Sequence, residues 1–264
     1  MSALIIGTGY VAGVLARRYG ELGIAITQTS RRVDSQLVQI ADGAQLDRLI
    51  SATEFTQIIV CGQLTATDID WVLERIDGVR WLIFSSQQVT SRITAPGTEA
   101  AHARETFALE RGACVMRPTM IFGHGGDRNI SRVARLMRKW HVGIVPGPGS
   151  QMIQPLYVDD LAHVVIAHHD TPIAGLFALG GLEAAPVREV VKTLAEILGV
   201  RLPLLTAPTS VPFLGRALRP IGLRADQLAR LTESKTADNS AAVRAFRWQP
   251  EPLGIRLEQA AREC

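Results

Sequence analysis

The sequence predicts an open, doubly wound parallel α/β sheet followed by a small, mainly helical C-terminal lobe that would hold substrate. Three observations predict it. Short, wholly apolar runs recur through the first half of the chain, helix-period stretches alternate with them, and a glycine-rich turn follows the first run. Apolar runs of this kind suit parallel strands covered on both faces.

Ala3-Leu4-Ile5-Ile6 is the first such run. Val11, Val14, Leu15 and Leu22 follow at helical spacing, Gly23 ends that helix, and Ile24–Thr27 reads as the second strand. Leu46–Ile50 is a short helix, Gln57–Cys61 a buried strand, and Asp68–Ile76 a helix stopped by Asp77-Gly78. Trp81–Phe84 is a strand, Thr98–Glu110 a helix ended by Gly112, and Ala113–Met116 a strand. Beyond about residue 118 the alternation breaks. Asn129–Trp140 looks helical, Val145–Gly149 is a turn-rich break, and Leu156-Tyr157-Val158 leads into a helix at Asp159–His168. The rest reads as mostly helical, punctuated by prolines. This divides the chain into a sheet domain at 1–122 and a smaller lobe at 123–264, with a return to the sheet around 150–180.

Composition excludes several classes. A chain of 264 residues can bury a core without staples, and 47% apolar with 20% charged residues is ordinary globular usage. A net charge of +3 with scattered basic residues does not point to nucleic acid. Cys61, Cys114 and Cys264 have no paired spacing, which predicts reduced thiols, no metal site and a cytoplasmic protein. His163, His168 and His169 share one helix without a metal-binding spacing. The apolar N-terminus is interrupted by Gly7, Gly9 and Gly13, and no apolar run reaches the roughly 18 residues of a membrane span.

Gly7-Thr8-Gly9-Tyr10-Val11-Ala12 fits G-x-G-x-x-G/A, between a buried strand and an amphipathic helix. The first glycine allows the tight turn. The second lets backbone approach a pyrophosphate, and Ala12 lets helix and sheet pack closely. The helix N-terminus then offers free N–H groups to phosphate. This is the dinucleotide-binding turn of a Rossmann fold; its alternative is a tight turn with no ligand. At the end of the second strand the chain reads Thr27-Gln28-Thr29-Ser30-Arg31-Arg32, with no acid to hold a ribose 2′-OH until Asp34. Ser30, Arg31 and Arg32 suit a 2′-phosphate instead, which favours NADP over NAD.

The ordered set GTGYVAG, TSRR, Ala41-Asp42, Cys61-Gly62-Gln63, Phe84-Ser85-Ser86, Met116-Arg117-Pro118-Thr119 with Ile121-Phe122-Gly123, and Tyr157-Val158-Asp159-Asp160 resembles an extended or atypical short-chain dehydrogenase/reductase. Nucleoside-diphosphate-sugar epimerases of the NAD-dependent epimerase/dehydratase group are the nearest likeness. The resemblance implies that Asp42 approaches the adenine, that Cys61, Gly62, Gln63 and Ser85 line the cofactor, and that Pro118 and Thr119 lie near the nicotinamide. It also implies a homodimer. Asp159 and Asp160 are expected to cap the helix that follows them and to shape the small lobe.

One departure is large. The family's engine is Tyr-x-x-x-Lys with an upstream Ser or Thr. Tyr10, Tyr19 and Tyr157 are followed four residues on by Val14, Gly23 and Leu161, so the motif is absent. Ser86 matches the family serine. His102, on the helix where the motif would lie, is the candidate proton donor, with an ordinary surface histidine as the alternative. His124, in a glycine-rich loop, is a second candidate. Ser86, Gln87 and Gln88 could polarise a carbonyl by hydrogen bonds. Arg132, Arg135 and Arg138 could neutralise a diphosphate. Two functions follow: an NADP-dependent oxidoreductase or epimerase acting on a carbonyl or alcohol carbon of a small, nucleotide-sugar-like substrate, or a non-catalytic NADP(H)-binding sensor or scaffold. The groove beside Ser86, open or filled by Trp81, Met116 or Met120, would separate them.

Overall fold

The computed structural model describes residues 2–31, 37–66, 69–92, 96–200, 204–207 and 233–264. The chain begins with β1 (Ser2–Ile6), α1 (Tyr10–Glu21), β2 (Ala25–Ser30), β3 (Val38–Gln39), α2 (Gly43–Ala52), β4 (Gln57–Val60), α3 (Asp70–Leu73), β5 (Trp81–Phe84), α4 (Thr98–Glu110) and β6 (Cys114–Pro118). It continues with β7 (Ile121–Phe122), α5 (Ile130–Trp140), β8 (Gly143–Pro146), β9 (Met152–Ile153), β10 (Leu156–Tyr157), α6 (Val158–Asp170) and β11 (Gly175–Leu179). Then come β12 (Ala185–Pro186), α7 (Val187–Ile197), β13 (Leu204–Ala207), α8 (Ser240–Phe246) and α9 (Leu253–Arg262).

Seven parallel strands form the main sheet in the order β11-β6-β5-β4-β1-β2-β3. Winding reverses between β1 and β4, so a crevice opens at their carboxyl ends. The apolar runs fill both faces. Alternate residues of β1 divide between two cores: Ala3 and Ile5 join α1, α6 and α8, while Leu4 joins α2, α3 and α4.

Several elements differ from the sequence-based expectation. The second strand runs on through Gln28-Thr29-Ser30, because the ladder to β1 and β3 satisfies these polar residues. The helix expected at 68–76 is described as helical only over Asp70–Leu73. Its C-terminal end tightens into turns in which Arg75 N–H and Ile76 N–H donate to the carbonyls three residues back, at 3.2 and 3.1 Å.

The second half returns to the sheet, within the span 150–180 that the sequence suggested. β11 joins the main sheet beside β6, and α6 and α8 pack over the same face as α1. A third core gathers α5, α7 and α9. Beside its helices, the described residues there include the short pairs β7–β10, β9–β12 and β8–β13. Trp81, Met116 and Met120, the side chains able to fill the groove beside Ser86, each belong to a core or pack against one.

Candidate active site

The site is built at the carboxyl edge of the sheet. Gly7, at φ 129°, turns the chain hard against the exit of β4, where a Cβ on it would lie 3.4 Å from the Cβ of Cys61. Cys61 N–H donates to the Ile6 carbonyl at 2.9 Å, which keeps the two exits together. Gly9 is the N-cap of α1 and has no side-chain cap. A Cβ built on Gly9 meets nothing within 4 Å. This is a cradle left clear for a ligand beside the free N–H groups of a helix start, and it fits a pyrophosphate. Thr8 is exposed, Val11 packs on the first core, and Ala12 is fully buried where helix and sheet meet.

Gln28 was not singled out by the sequence. Its side-chain amide donates to the Gly7 carbonyl at 2.8 Å and braces the glycine turn from β2. Ser30 is buried at the end of β2, and exposed Arg31 follows it. Arg32 lies outside the described residues. Asp42 caps α2 through a bond from Gln45 N–H at 2.9 Å. At the exit of β4, burial pushes the Cys61 thiol up to about 12, so it stays protonated at neutral pH. A Cβ on Gly62 would meet Ile69 at 2.4 Å, and Gln63 is exposed.

The exit of β5 is the least committed part of this edge. Ser86 caps the short turn Gln87–Thr90 by accepting from Gln88 N–H at 3.2 Å, which leaves its hydroxyl proton to donate elsewhere. Beside it, Ser85 Oγ and Gln87 Oε1 are buried without a hydrogen-bond partner. Unpaired buried polar atoms cost roughly 1–3 kcal/mol each, so their occurrence needs a reason such as a ligand. Pro118 and Thr119 end β6. Thr119 is fully engaged, its N–H on the Leu179 carbonyl at 2.8 Å and its hydroxyl on the Gln154 carbonyl at 2.5 Å.

Three expectations are corrected here, and His102 is placed beside them: its Nε2 lies 2.9 Å from the Val89 carbonyl, an acceptor only, so this nitrogen ties the 87–90 turn to α4. Its Nδ1 lies 3.7 Å from Glu105, which is buried and paired with Arg117. Asp159 and Asp160 stand in the first turn of α6, but Tyr157 is the N-cap and no side chain caps the helix. Their carboxylates go elsewhere, Asp159 to Arg18 and His124, Asp160 to Arg256. His124 is no free loop residue, since its ring nitrogens face Asp159 at 2.9 Å and Glu263 at 3.2 Å. Arg135 and Arg138 do not form a diphosphate clamp with Arg132, because their guanidinium groups hold the carbonyls of Gly125, Ala261 and Cys264. Among the described residues no group of three or more acidic, histidine or cysteine side chains could hold a metal ion. No described helix is long and apolar enough to cross a membrane.

A seven-stranded parallel sheet with a glycine turn at its switch point can be compared with solved structures. The fold is shared with solved nucleotide-sugar epimerases and dehydratases. UDP-glucose 4-epimerase of Thermotoga maritima superposes with a TM-score of 0.76 at 14% identity, covering 100% of this chain and 98% of that one. The dTDP-glucose 4,6-dehydratase of Bacillus anthracis, solved with NAD, gives 0.75 at 13%, covering 100% and 96%. UDP-glucuronic acid 4-epimerase of Bacillus cereus, solved with its sugar nucleotide and NAD, gives 0.74 at 16%, covering 100% and 98%. At such identities the likeness is one of fold. No protein-family model and no curated protein sequence matches the chain. The likeness of fold extends over the whole chain.

Proposed function

We propose that this chain binds a nicotinamide dinucleotide across the β1/β4 switch point and moves hydride to or from a carbonyl or alcohol carbon of a small substrate. The observation that carries this reading is the exit of β5, where Ser86 keeps a free donor beside the unpartnered Ser85 Oγ and Gln87 Oε1. The dinucleotide supplies the hydride; the residues bind, orient and polarise. Ser86 donates to the substrate oxygen, where negative charge grows. Burial and neighbouring carboxylates push the phenols of Tyr10 and Tyr157 far above neutrality, and each phenol hydroxyl already donates within the protein. His102 is committed to Val89. Water therefore delivers the proton at the substrate oxygen, and Ser86 works by electrostatics. Sugar nucleotides are the proposed substrate class, because structures of the same fold are solved with them. The reaction is net oxidation or reduction, or an epimerisation in which the cofactor is reduced only in passing.

For the cofactor we propose NADP(H). Ser30 and Arg31 stand where a carboxylate would hold the ribose of NAD, although neighbouring structures of the fold contain NAD. Calorimetric titration with NADPH, NADH, NADP⁺ and NAD⁺ tests this. NADPH should bind tightest, and Arg31→Ala should weaken it about tenfold while leaving NADH unchanged, the loss of one charge-assisted contact. Equal binding of NADPH and NADH by the wild type would overturn the preference. A second reading, a non-catalytic dinucleotide sensor, is favoured by the missing Tyr-x-x-x-Lys. Turnover of NADPH with a panel of UDP- and dTDP-sugars separates the two.

A further inference from the structure

The loop Gly123-His124-Gly125-Gly126 carries three glycines in four residues, and the proposed chemistry uses none of them. Each faces a different neighbour. A Cβ on Gly123 would meet the Tyr157 ring at 2.5 Å, one on Gly125 the Glu263 carbonyl at 2.7 Å, and one on Gly126 the Tyr10 ring at 3.0 Å. The loop is therefore wedged between the exit of α9 and the first residue of α1. On the α1 side, Tyr10 hydroxyl donates to the Gly123 carbonyl at 2.7 Å. On the α9 side, Glu263 accepts from His124 N–H at 2.6 Å, faces His124 Nδ1 at 3.2 Å, and accepts from Tyr157 hydroxyl at 3.1 Å.

Glu263 is an odd choice for α9. It follows the last turn, where the helix dipole disfavours a negative charge. The carboxylate gains nothing from its own helix, and its partners all lie on or under the loop. His124 itself sits at φ 50°, a conformation uncommon for a residue with a side chain, and its ring is pinned between Glu263 and Asp159. Asp159 is in turn held by Arg18 of α1 at 2.6 Å. Both ends of this chain of contacts return to the helix that begins at the glycine turn.

We propose that Glu263 is a positioning residue for the dinucleotide site: through His124 it presses the 123–126 loop onto Tyr10 and so sets the geometry of the turn that receives the pyrophosphate. The inference rests on the dinucleotide-binding reading above. Tyr10 is the first residue of α1, so its placement sets the direction of the N–H groups offered there. Loss of the Glu263 carboxylate leaves the His124 ring held by Asp159 alone, releases the His124 N–H, and lets the loop lift from the Tyr10 ring.

The test is a double-mutant cycle on NADPH affinity with Glu263→Gln and Tyr10→Phe, measured by calorimetry, with melting temperature recorded for each protein. Glu263→Gln should weaken NADPH about tenfold, as expected for loss of a hydrogen-bonded charge. Tyr10→Phe should weaken it by a similar factor, and the double variant by no more than the worse single one, since both act through one loop. Hydrogen exchange at the 123–126 amides of the unliganded protein should quicken in Glu263→Gln; this readout does not depend on cofactor. Additive effects, or unchanged affinity in Glu263→Gln despite normal wild-type binding, would overturn the proposal and leave the dinucleotide reading intact. A wild type that binds no dinucleotide would overturn both.

Discussion

The two ends of the main sheet treat polar groups in opposite ways. At the amino end, Gln57 opens β4 and sits fully buried. It accepts from Tyr19 hydroxyl at 2.5 Å, donates to the Val165 carbonyl at 3.0 Å, and lies 2.9 Å from His168 Nδ1. Thr56 and His169 add a further contact at 3.1 Å. These groups bind one another across α1, β4 and α6. At the carboxyl end, Ser86 retains a donor, Ser85 Oγ and Gln87 Oε1 have no partner, and Gly9 faces clear space. The sheet thus uses most polar residues at its amino end to lock helices, where of the groups named only His168 Nε2 lacks a hydrogen-bond partner, and leaves more of them uncommitted at its carboxyl end. The difference teaches that chemistry here is marked by what side chains have left undone, not by which residue types are present.

If that contrast holds, substitutions at the carboxyl end change function without stability, and those at the amino end do the reverse. The largest effect is expected from Ser86→Ala. Removing one donor to a developing oxyanion typically costs 10²–10³-fold, so NADPH turnover with a sugar-nucleotide substrate should fall by about that factor, with affinity for NADPH and melting temperature little changed. A variant of full activity would remove Ser86 from the mechanism.

Next comes His168, which is wholly buried and whose imidazole burial pushes down to about 4 from an ordinary 6.5. The unfolded chain takes up the proton first, so the stability tied to neutral His168 is complete above pH 6.5 and drains away as pH falls toward 4. The loss by pH 4 should be about 3 kcal/mol. Urea unfolding from pH 7.5 to 4 should show this slope in the wild type and a flatter one in His168→Gln, with NADPH affinity at pH 7.5 unaltered in both. An identical slope in the variant would assign the acid sensitivity to other groups. The smallest effect is that of Gly9→Ala. Its Cβ has room in the protein, so the melting temperature should move by only a few degrees, while NADPH binding weakens about tenfold because the methyl occupies the space meant for phosphate. A normal affinity would show that the cradle is not where the ligand lies.

Much of the fold was legible because it is encoded locally. The apolar runs of β1, β4, β5 and β6 can satisfy their period only inside a covered sheet, and α4 begins and ends at Thr98 and Glu110, where the sequence places it. The glycine turn was legible because its spacing encodes a backbone shape. β11 was legible only as a return to the sheet somewhere around 150–180: Gly-Leu-Phe-Ala-Leu is short, and its pairing with β6 fixes it as a strand. Asp159 and Asp160 looked like helix caps because the first turn of a helix is the common place for acids. Their true partners, Arg18 and Arg256, lie 141 and 96 residues away. His102 looked available because the position of the Val89 carbonyl cannot be read from spacing.

By itself the sequence determined a parallel sheet with a dinucleotide turn and denied it the Tyr-x-x-x-Lys pair, because periodicity, glycine placement and simple presence or absence are local properties. The tertiary structure decided which polar groups are spent and which are free. It engaged His102, His124 and Asp159 with neighbours, buried Ser85 Oγ and Gln87 Oε1 without a hydrogen-bond partner, and brought Glu263 to the loop over Tyr10. A hydrogen bond forms only where two distant segments meet at the right angle and distance, and long-range packing alone sets that.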